Sequence, residues 1–320
     1  MNKERIIGFD LARVIAIFVV IGIYHNLGYT GLFHAEPAVR VLVYSSLGVF
    51  TFLSAFLLTS RYSFLRKGDV LHFYKKRVLR IWPLFAISSI MLAILGFNSW
   101  TTTLKGIVGI SPFWAPHPTT MWYVAMLISL YIITPFVFCG NIKSQCFKGI
   151  MIMSIIGLLQ ILLGCVVPRT FNYYTVYLVG GLMGKNFYKN TLSFLQSKKT
   201  LVITIVWIVL VGIVFITKND YIKSFSSVVG IIAILNFCLM IADNIKTNDF
   251  LEKSIEVLSY SSFCAYLFHR EIIWLLQRLY WPDGFAIRFI YIIIIAVPLS
   301  FLCAFYIQKV YDIIVKKINL

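Results

Sequence analysis

Residues 8–26, GFDLARVIAIFVVIGIYHN, decide how the rest of the chain is interpreted. This apolar run is long enough to cross a membrane, yet it carries Asp10 and Arg13 near its start and His25 near its end. A charged side chain in hydrocarbon costs about 2.5–3.5 kcal/mol, so ionisable groups inside a span indicate function. A helix rises about 18 Å from Arg13 to His25, which is more than half of the hydrocarbon thickness. The first helix is therefore predicted to carry a cation near one membrane face and an imidazole toward the other.

The composition predicts a polytopic membrane protein. The chain of 320 residues is 60% hydrophobic and 13% charged, with a mean hydropathy of +0.86, which lies outside the range of soluble domains. Its net charge of +17 does not indicate nucleic-acid binding, because the basic residues lie in short loops between apolar runs, where they act as topology signals. Membrane lipids are the expected surroundings, and nucleic acid is not an expected partner.

The apolar runs predict an all-α bundle of about ten transmembrane helices within a single membrane domain, residues 1–320. Lys and Arg are concentrated in the alternate loops that include both ends, so both termini are predicted to be cytoplasmic. Asp10 and Arg13 interrupt the first run and no small-residue cleavage site follows it, which favours a retained span over a signal peptide. The predicted spans are residues 6–29, 38–60, 78–98, 119–139, 149–168, 173–188, 201–217, 225–243, 257–277 and 287–309.

Two segments between the spans have distinctive compositions. Residues 61–80 are basic with interleaved apolar side chains, and they are predicted to form an amphipathic helix on the inner leaflet. Residues 99–118 form the longest outer loop and contain three prolines and two tryptophans, which predicts an ordered lid or an interfacial anchor.

Asp10 and Arg13 lie three residues apart, so they share a helix face and can pair. One interpretation is that Arg13 only extends toward the inner headgroups. The other is an anion site, because a guanidinium holds phosphate or carboxylate in a fixed fork. The residues alone leave both interpretations open.

A second histidine inside a predicted span, His269, strengthens His25 as a candidate catalytic residue. A lone histidine on an apolar face is more often a hydrogen-bonded core residue than a catalyst. Near neutral pH, however, imidazole can accept a hydroxyl proton and return it, which is the main demand of acyl transfer to an alcohol. With Arg270 and Glu271 beside His269, the density of ionisable groups is high for such an apolar chain.

Arg77 and Arg80 lie three residues apart at the inner end of the third span. Topology alone explains basic residues there, but together with neighbouring lysines they would form a positive entrance for a phosphorylated cytoplasmic donor. No metal site is predicted, because no Cys or His cluster has ligand spacing. The six cysteines are interpreted as small hydrophobic residues, and the loop histidines His34, His72 and His117 are assigned no role.

Six stretches in order along the chain resemble segments of the integral-membrane acyltransferase type 3 family. The opening stretch GFDLARVIAIFVVIGIYHN resembles the family's first span with its Arg and His. The others are FTFLSAFLL, FYKKRVLRIWPL, MWYVAMLISLYIITP, YLVGGLMG and SYSSFCAYLFH, and the resemblance extends from residue 6 to about residue 270.

The resemblance implies a bacterial inner-membrane enzyme that transfers an acyl group, usually acetyl, from cytoplasmic acyl-CoA to a hydroxyl of a cell-surface or exported glycan. Acetyl-CoA is then a donor substrate, and no permanently bound cofactor is expected. The sequence carries no appended hydrolase-like domain, so transfer is expected to finish within the membrane domain. The candidate catalytic residues are His25 as general base, Arg13, Asp10 and His269; the candidate donor-binding residues are Arg77, Arg80 and Arg13; the candidate substrate-binding residues are Trp122, Tyr123 and Glu271.

The chain departs from the family pattern at two places. Ala55 stands where the family usually has Gly, which affects a helix contact rather than the chemistry. The spacing from Arg13 to His25 is one residue longer than the expected pattern, and one residue turns an α-helix by about 100°. Either the two side chains face different walls, or a π-bulge near Gly22 absorbs the extra residue.

A transporter or flippase of a glycan or small solute is the alternative function, because polar residues in a bundle also line transport paths. Transport would be expected to show inverted repeats, which the sequence lacks, and it does not require a cytoplasmic arginine pair beside a histidine. A membrane scaffold would leave Arg13, His25 and His269 unexplained.

Overall fold

A computed structural model describes residues 5–31, 36–164, 166, 168–246 and 248–318, and the regular structure in these residues is entirely helical. His34 and Cys165 lie outside the described residues. The helices are α1 (Ile7–Thr30), α2 (Pro37–Thr59), α3 (Lys67–Ile94), α4 (Trp100–Val108), α5 (Trp122–Val137), α6 (Ile142–Leu163), α7 (Pro168–Asn186), α8 (Tyr188–Gln196), α9 (Leu201–Thr217), α10 (Asp220–Lys246), α11 (Asp249–Leu279) and α12, which comprises Phe285–Tyr291, Ile292–Ala296 and Val297–Ile318. The all-α prediction is confirmed for this part of the chain.

Seven of the described helices are long and apolar enough to cross a membrane: α1, α2, α3, α6, α9 with its preceding turn, α10 and α12. The chain is therefore a multi-pass membrane protein. The other three predicted spans coincide with α5, α7 and α11, and α5 is apolar but only 16 residues long. The count of ten spans and the cytoplasmic placement of both termini stay predictions.

The two segments between predicted spans are both ordered. The basic segment is helical from Lys67 onward and continues into the third predicted span as the single helix α3, so its position on the inner leaflet stays a prediction. Its backbone hydrogen bonds simply continue into the apolar part of the same helix. The long loop contains α4, and the Trp82 indole of α3 donates a 3.0 Å hydrogen bond to the carbonyl of Ile107 at the end of α4. Within the loop, Lys105 Nζ donates to the carbonyl of Ala115 at 3.2 Å.

The helices form two compact units, and the prediction of a single domain stays a prediction. The first unit comprises residues 1–50 and 192–320, and the second comprises residues 51–191. In the first unit, α1 packs against α10 and α11, α9 packs against α10, and α11 packs against α12. In the second unit, α3 contacts α4 and α5, and α7 contacts α6.

Small residues allow α1 to lie close to α10. Ala12 and Ala16 are fully buried, and a Cβ on Gly8 would stand 2.9 Å from Leu239 Cα and 3.1 Å from the carbonyl oxygen of Cys238. Only glycine fits so close to the backbone of α10. Small residues commonly allow such close contact between membrane helices. Gly8 therefore fixes the start of α1, the part of the helix that carries Asp10 and Arg13.

Candidate functional site

Asp10 joins the start of α1 to α11. Asp10 as a whole is 6% exposed, and its carboxylate accepts hydrogen bonds from Arg5 Nε at 2.6 Å, Arg13 Nη1 at 2.8 Å and Ser259 Oγ at 2.7 Å. Arg5 also pairs with Glu256 of α11. Asp10 thus holds two cations and one hydroxyl by charge-assisted hydrogen bonds, which are the stronger kind. The bond from Ser259 and the pair of Arg5 with Glu256 connect the start of α1 to α11, and we call this connection the charged anchor.

A π-helical turn, Val19–His25, interrupts α1 between Asp10 and His25. The prediction of a π-bulge near Gly22 is confirmed. In such a turn each backbone N–H bonds one residue farther back than in an α-helix, so the turn accommodates one extra residue. A Cβ on Gly22 would stand 3.1 Å from the ring of Phe18, so the small residue relieves crowding inside the turn. The turn ends at His25 and sets the direction of its ring.

His25 lies against two consecutive residues of α11. Its ring centre is 4.8 Å from that of His269, with the two planes inclined by 40°. Its Nδ1 atom lies 3.4 Å from Arg270 Nη2. The His269 side chain is fully buried, and its Nδ1 lies 2.8 Å from the carbonyl oxygen of Tyr266 in the same helix. Two of the four candidate catalytic residues are thus in direct contact.

The hydrogen-bond partners determine where the ring protons reside. Arg270 can only donate, so Nδ1 of His25 accepts and the proton of the neutral ring resides on Nε2. The Tyr266 carbonyl can only accept, so Nδ1 of His269 carries the proton and its Nε2 presents a lone pair. That Nε2 is buried and has no hydrogen-bond partner among the described residues. An unsatisfied buried polar atom costs about 1–3 kcal/mol, and it requires an explanation such as a role in catalysis or ligand binding.

Tyr29 and Glu271 extend this group of polar side chains. Glu271 is 7% exposed. Tyr29 interacts electrostatically with both Arg270 and Glu271, and its hydroxyl is buried without a hydrogen-bond partner among the described residues. We call His25, Tyr29, His269, Arg270 and Glu271 the two-histidine cluster. Sequence reasoning missed Tyr29, although its position four residues after His25 places both on one helix face.

The structure divides the candidate catalytic residues into two groups. Asp10 and Arg13 lie together at the start of α1, whereas His25 and His269 lie together toward the other end. The twelve residues from Arg13 to His25 correspond to about 18 Å of α-helix, less a small amount for the π-helical turn. Both groups contact α11, through Ser259 and Arg270 respectively. The catalytic roles of Asp10 and Arg13 stay predictions.

The candidate donor-binding arginines lie on α3 in the second unit. Arg77 is partly buried, and its Nε atom is buried without a hydrogen-bond partner in the described part of the chain. Arg80, one turn farther along, is exposed. Both side chains keep their predicted spacing on one side of the helix. Their contact with a phosphorylated donor stays a prediction.

Two candidate substrate-binding residues, Trp122 and Tyr123, begin α5 in the second unit. Tyr123 is 4% exposed, and its hydroxyl shares a 3.0 Å hydrogen bond with that of Thr51. Trp122 is partly exposed, and its ring lies 4.1 Å below the guanidinium carbon of Arg169. Tyr173 touches both rings, with centres at 5.8 and 5.9 Å. These contacts suit a packed aromatic layer, and substrate binding by Trp122 and Tyr123 stays a prediction.

His117 lies in the loop before α5 and is partly buried. Its Nδ1 contacts the carbonyl of Ser111, which fixes Nδ1 as a donor. Burial lowers the pKa of His117, the nearby Arg169 lowers it further, and the bond to Ser111 opposes both effects. The ring is therefore neutral at pH 7 and serves as a hydrogen-bonding part of the loop.

In the described ranges, no group of three His, Cys, Asp or Glu side chains could hold a metal ion. The five described cysteines, Cys139, Cys146, Cys238, Cys264 and Cys303, are free thiols. Cys238 is buried and packs as a small apolar residue, whereas the buried Cys264 thiol donates a hydrogen bond to Oε1 of Gln308 at 3.0 Å.

Comparison with known proteins identifies a family. A family model described as an acyltransferase domain, that of the acyltransferase type 3 family, matches residues 6–309. No curated protein and no solved structure matches the chain significantly. The match spans both units and includes the helices α1 and α11 that carry the two-histidine cluster. The chain belongs to the acyltransferase type 3 family.

Proposed function

We propose that this protein transfers an acyl group, acetyl in the first instance, from acyl-CoA to a hydroxyl of a cell-surface or exported glycan in the bacterial inner membrane. Family membership supports acyl transfer as the reaction class. The observation that carries the proposal within the chain is the contact between the half-buried His25 and the fully buried His269, whose Nε2 presents a lone pair without a partner among the described residues. Imidazole is the side chain best suited to exchange a proton with an alcohol near neutral pH.

The transfer requires one base and one stabilising donor. The acceptor O–H bond breaks as its oxygen attacks the thioester carbonyl carbon, and an imidazole of the pair takes the proton. Charge develops on the carbonyl oxygen, where a positioned N–H group would stabilise it. The carbon–sulfur bond then breaks, and the proton passes to the departing CoA thiolate. The resemblance of the first span to the family motif favours His25 as the base.

The charge and polarity of the side chains suggest which residues bind the acyl donor and which bind the acceptor. Arg77 and Arg80 carry the guanidinium groups proposed to bind the phosphates of acyl-CoA, and Arg13 is a further candidate. Glu271 belongs to the two-histidine cluster, where a carboxylate can accept hydrogen bonds from sugar hydroxyls. Acyl-CoA, the glycan and the membrane lipids are then the partners, and the protein holds no permanent cofactor.

Expression in a bacterial host that lacks the activity tests this function. Cells with the wild type, cells with His25→Ala and cells without the gene are compared by mass spectrometry of their surface glycans. The proposal predicts O-acyl groups with the wild type and their loss with His25→Ala at equal protein levels. Equal acylation by both proteins would remove His25 from the mechanism. Glycan export without acylation would favour transport.

A further inference from the structure

The two imidazoles of the cluster are held in opposite tautomers. Arg270 donates to Nδ1 of His25, so the ring of His25 is a donor at Nε2. The Tyr266 carbonyl accepts from Nδ1 of His269, so the ring of His269 is an acceptor at Nε2. A neutral ring can take a proton only at the nitrogen that lacks one. The nitrogen that meets this condition without giving up a hydrogen bond is Nε2 of His269.

We propose that His269 is the general base and that His25 donates its Nε2–H to the acyl carbonyl oxygen. This assignment rests on the proposed function and reverses the role that the sequence gives to His25. The acceptor hydroxyl transfers its proton to His269 Nε2 while its oxygen forms the bond to the thioester carbon. The protonated His269 then returns this proton to the CoA thiolate as the carbon–sulfur bond breaks, which restores the starting tautomer.

The unsatisfied state of His269 supports this role over a purely structural one. A histidine that only packs in a core usually has both ring nitrogens hydrogen-bonded, because an unpaired polar atom is destabilising when buried. His269 is fully buried, yet one nitrogen is anchored to Tyr266 and the other is left without a partner among the described residues. A bound hydroxyl group would supply the missing donor. Tyr29, whose buried hydroxyl also lacks a partner there, is a second contact for such a hydroxyl.

Arg270 acts as a positioning residue in this arrangement. Its guanidinium is always protonated, so its contact with Nδ1 of His25 keeps the proton of that ring on Nε2. It also brings positive charge next to the acyl carbonyl, where negative charge develops during the attack. His25 becomes a worse base and a better donor for the same reason.

Glutamine substitutions separate the two roles, because the glutamine amide reaches the position of Nε2 and donates a hydrogen bond but has no useful basicity. Four variants are purified in lipid nanodiscs: His25→Ala, His25→Gln, His269→Ala and His269→Gln. Each is given radiolabelled acetyl-CoA and the producing cells' own surface polysaccharide, stripped of O-acyl groups by mild alkali. The measured quantity is the rate of label transfer to the polysaccharide at one near-neutral pH.

We expect His25→Gln to transfer label at least about tenfold faster than His25→Ala, since one oxyanion donor contributes about 10²–10³ in rate. We expect His269→Gln to be as slow as His269→Ala, about 10²–10⁴ below the wild type.

His269→Asn serves as the folding control, because its amide keeps a donor near Nδ1 for the Tyr266 carbonyl but has nothing at Nε2. The assignment predicts a folded, inactive protein. A folded His269→Asn or His269→Gln protein with wild-type rates would overturn it, as would His25→Gln no faster than His25→Ala. A wild type that transfers no label would instead overturn the proposed function itself.

Discussion

Asp10 of α1 accepts a 2.7 Å hydrogen bond from Ser259 of α11, and farther along both helices His25 of α1 meets Arg270 of α11. The two helices therefore run in the same direction and are joined at two levels. The first level is a charged anchor, whereas the second is the two-histidine cluster. The same pair of helices thus carries both the charged anchor at Asp10 and the contact of His25 with His269.

Asp10→Asn is expected to lower stability more than turnover. Hydrogen bonds to charged groups contribute about 1.5–3 kcal/mol, and the amide weakens all three bonds that Asp10 accepts. Thermal unfolding in nanodiscs and acyl transfer below the transition are measured on the same samples. Ser259→Ala, which removes one of the three donors, is the control and should cost less. Undiminished thermal stability combined with lost turnover would instead give Asp10 a catalytic role.

The π-helical turn predicts an unequal effect of two single-residue deletions in α1. Removing Val19 takes one residue from the turn, which can close into a regular α-helix while Asp10 and His25 keep their partners. Removing Ile15 shortens the same stretch by one residue, but it rotates Asp10 against His25 by about 100° if the turn stays, and it displaces the buried Ala16 and Ile17 if the turn closes. We expect transfer activity to persist in the first deletion and disappear in the second. If both deletions abolished transfer in folded protein, the turn itself would be required.

The sequence predicts those features of the fold and site that depend on residues close together along the chain. Apolar runs located the helices, and the long Arg13 to His25 spacing with Gly22 between them predicted the π-helical turn. The sequence does not predict which ring nitrogen of His25 donates, because this depends on Arg270, which lies 245 residues away along the chain. The same holds for Ser259, which meets Asp10 across 249 residues. Such pairs follow from how helices pack, which single-sequence patterns do not specify.

Gly8→Ala is expected to separate α1 from α10. The added methyl group would stand 2.9 Å from Leu239 Cα, so backbone must move, at a cost of about 1–3 kcal/mol. Gly212→Ala in α9 is the matched control, because nothing lies within 4 Å of its Cβ position. That change should be neutral or slightly stabilising, since alanine is the better helix former. Equal thermal stability of both variants would contradict the close contact at Gly8.

His117 predicts a pH-dependent contribution to the stability of the loop before α5. Its pKa is lowered by burial, so the folded protein resists protonation that the unfolded chain accepts below the ordinary value of about 6.5. Stability should therefore fall as the pH drops through that value. His117→Asn keeps a donor for the Ser111 carbonyl without titrating, so it should show a smaller loss of melting temperature between pH 7.5 and 5.5. Identical losses would show that His117 contributes nothing to the acid sensitivity.

The most direct test is transfer by purified protein in nanodiscs. Radiolabelled acetyl-CoA and alkali-stripped surface polysaccharide are incubated with the wild type and with the double variant His25→Ala/His269→Ala, and alkali-labile label on the polysaccharide is counted. We predict label on the polysaccharide with the wild type and none above background with a folded double variant. Equal labelling by the two proteins would contradict the claim that the two imidazoles carry out the transfer.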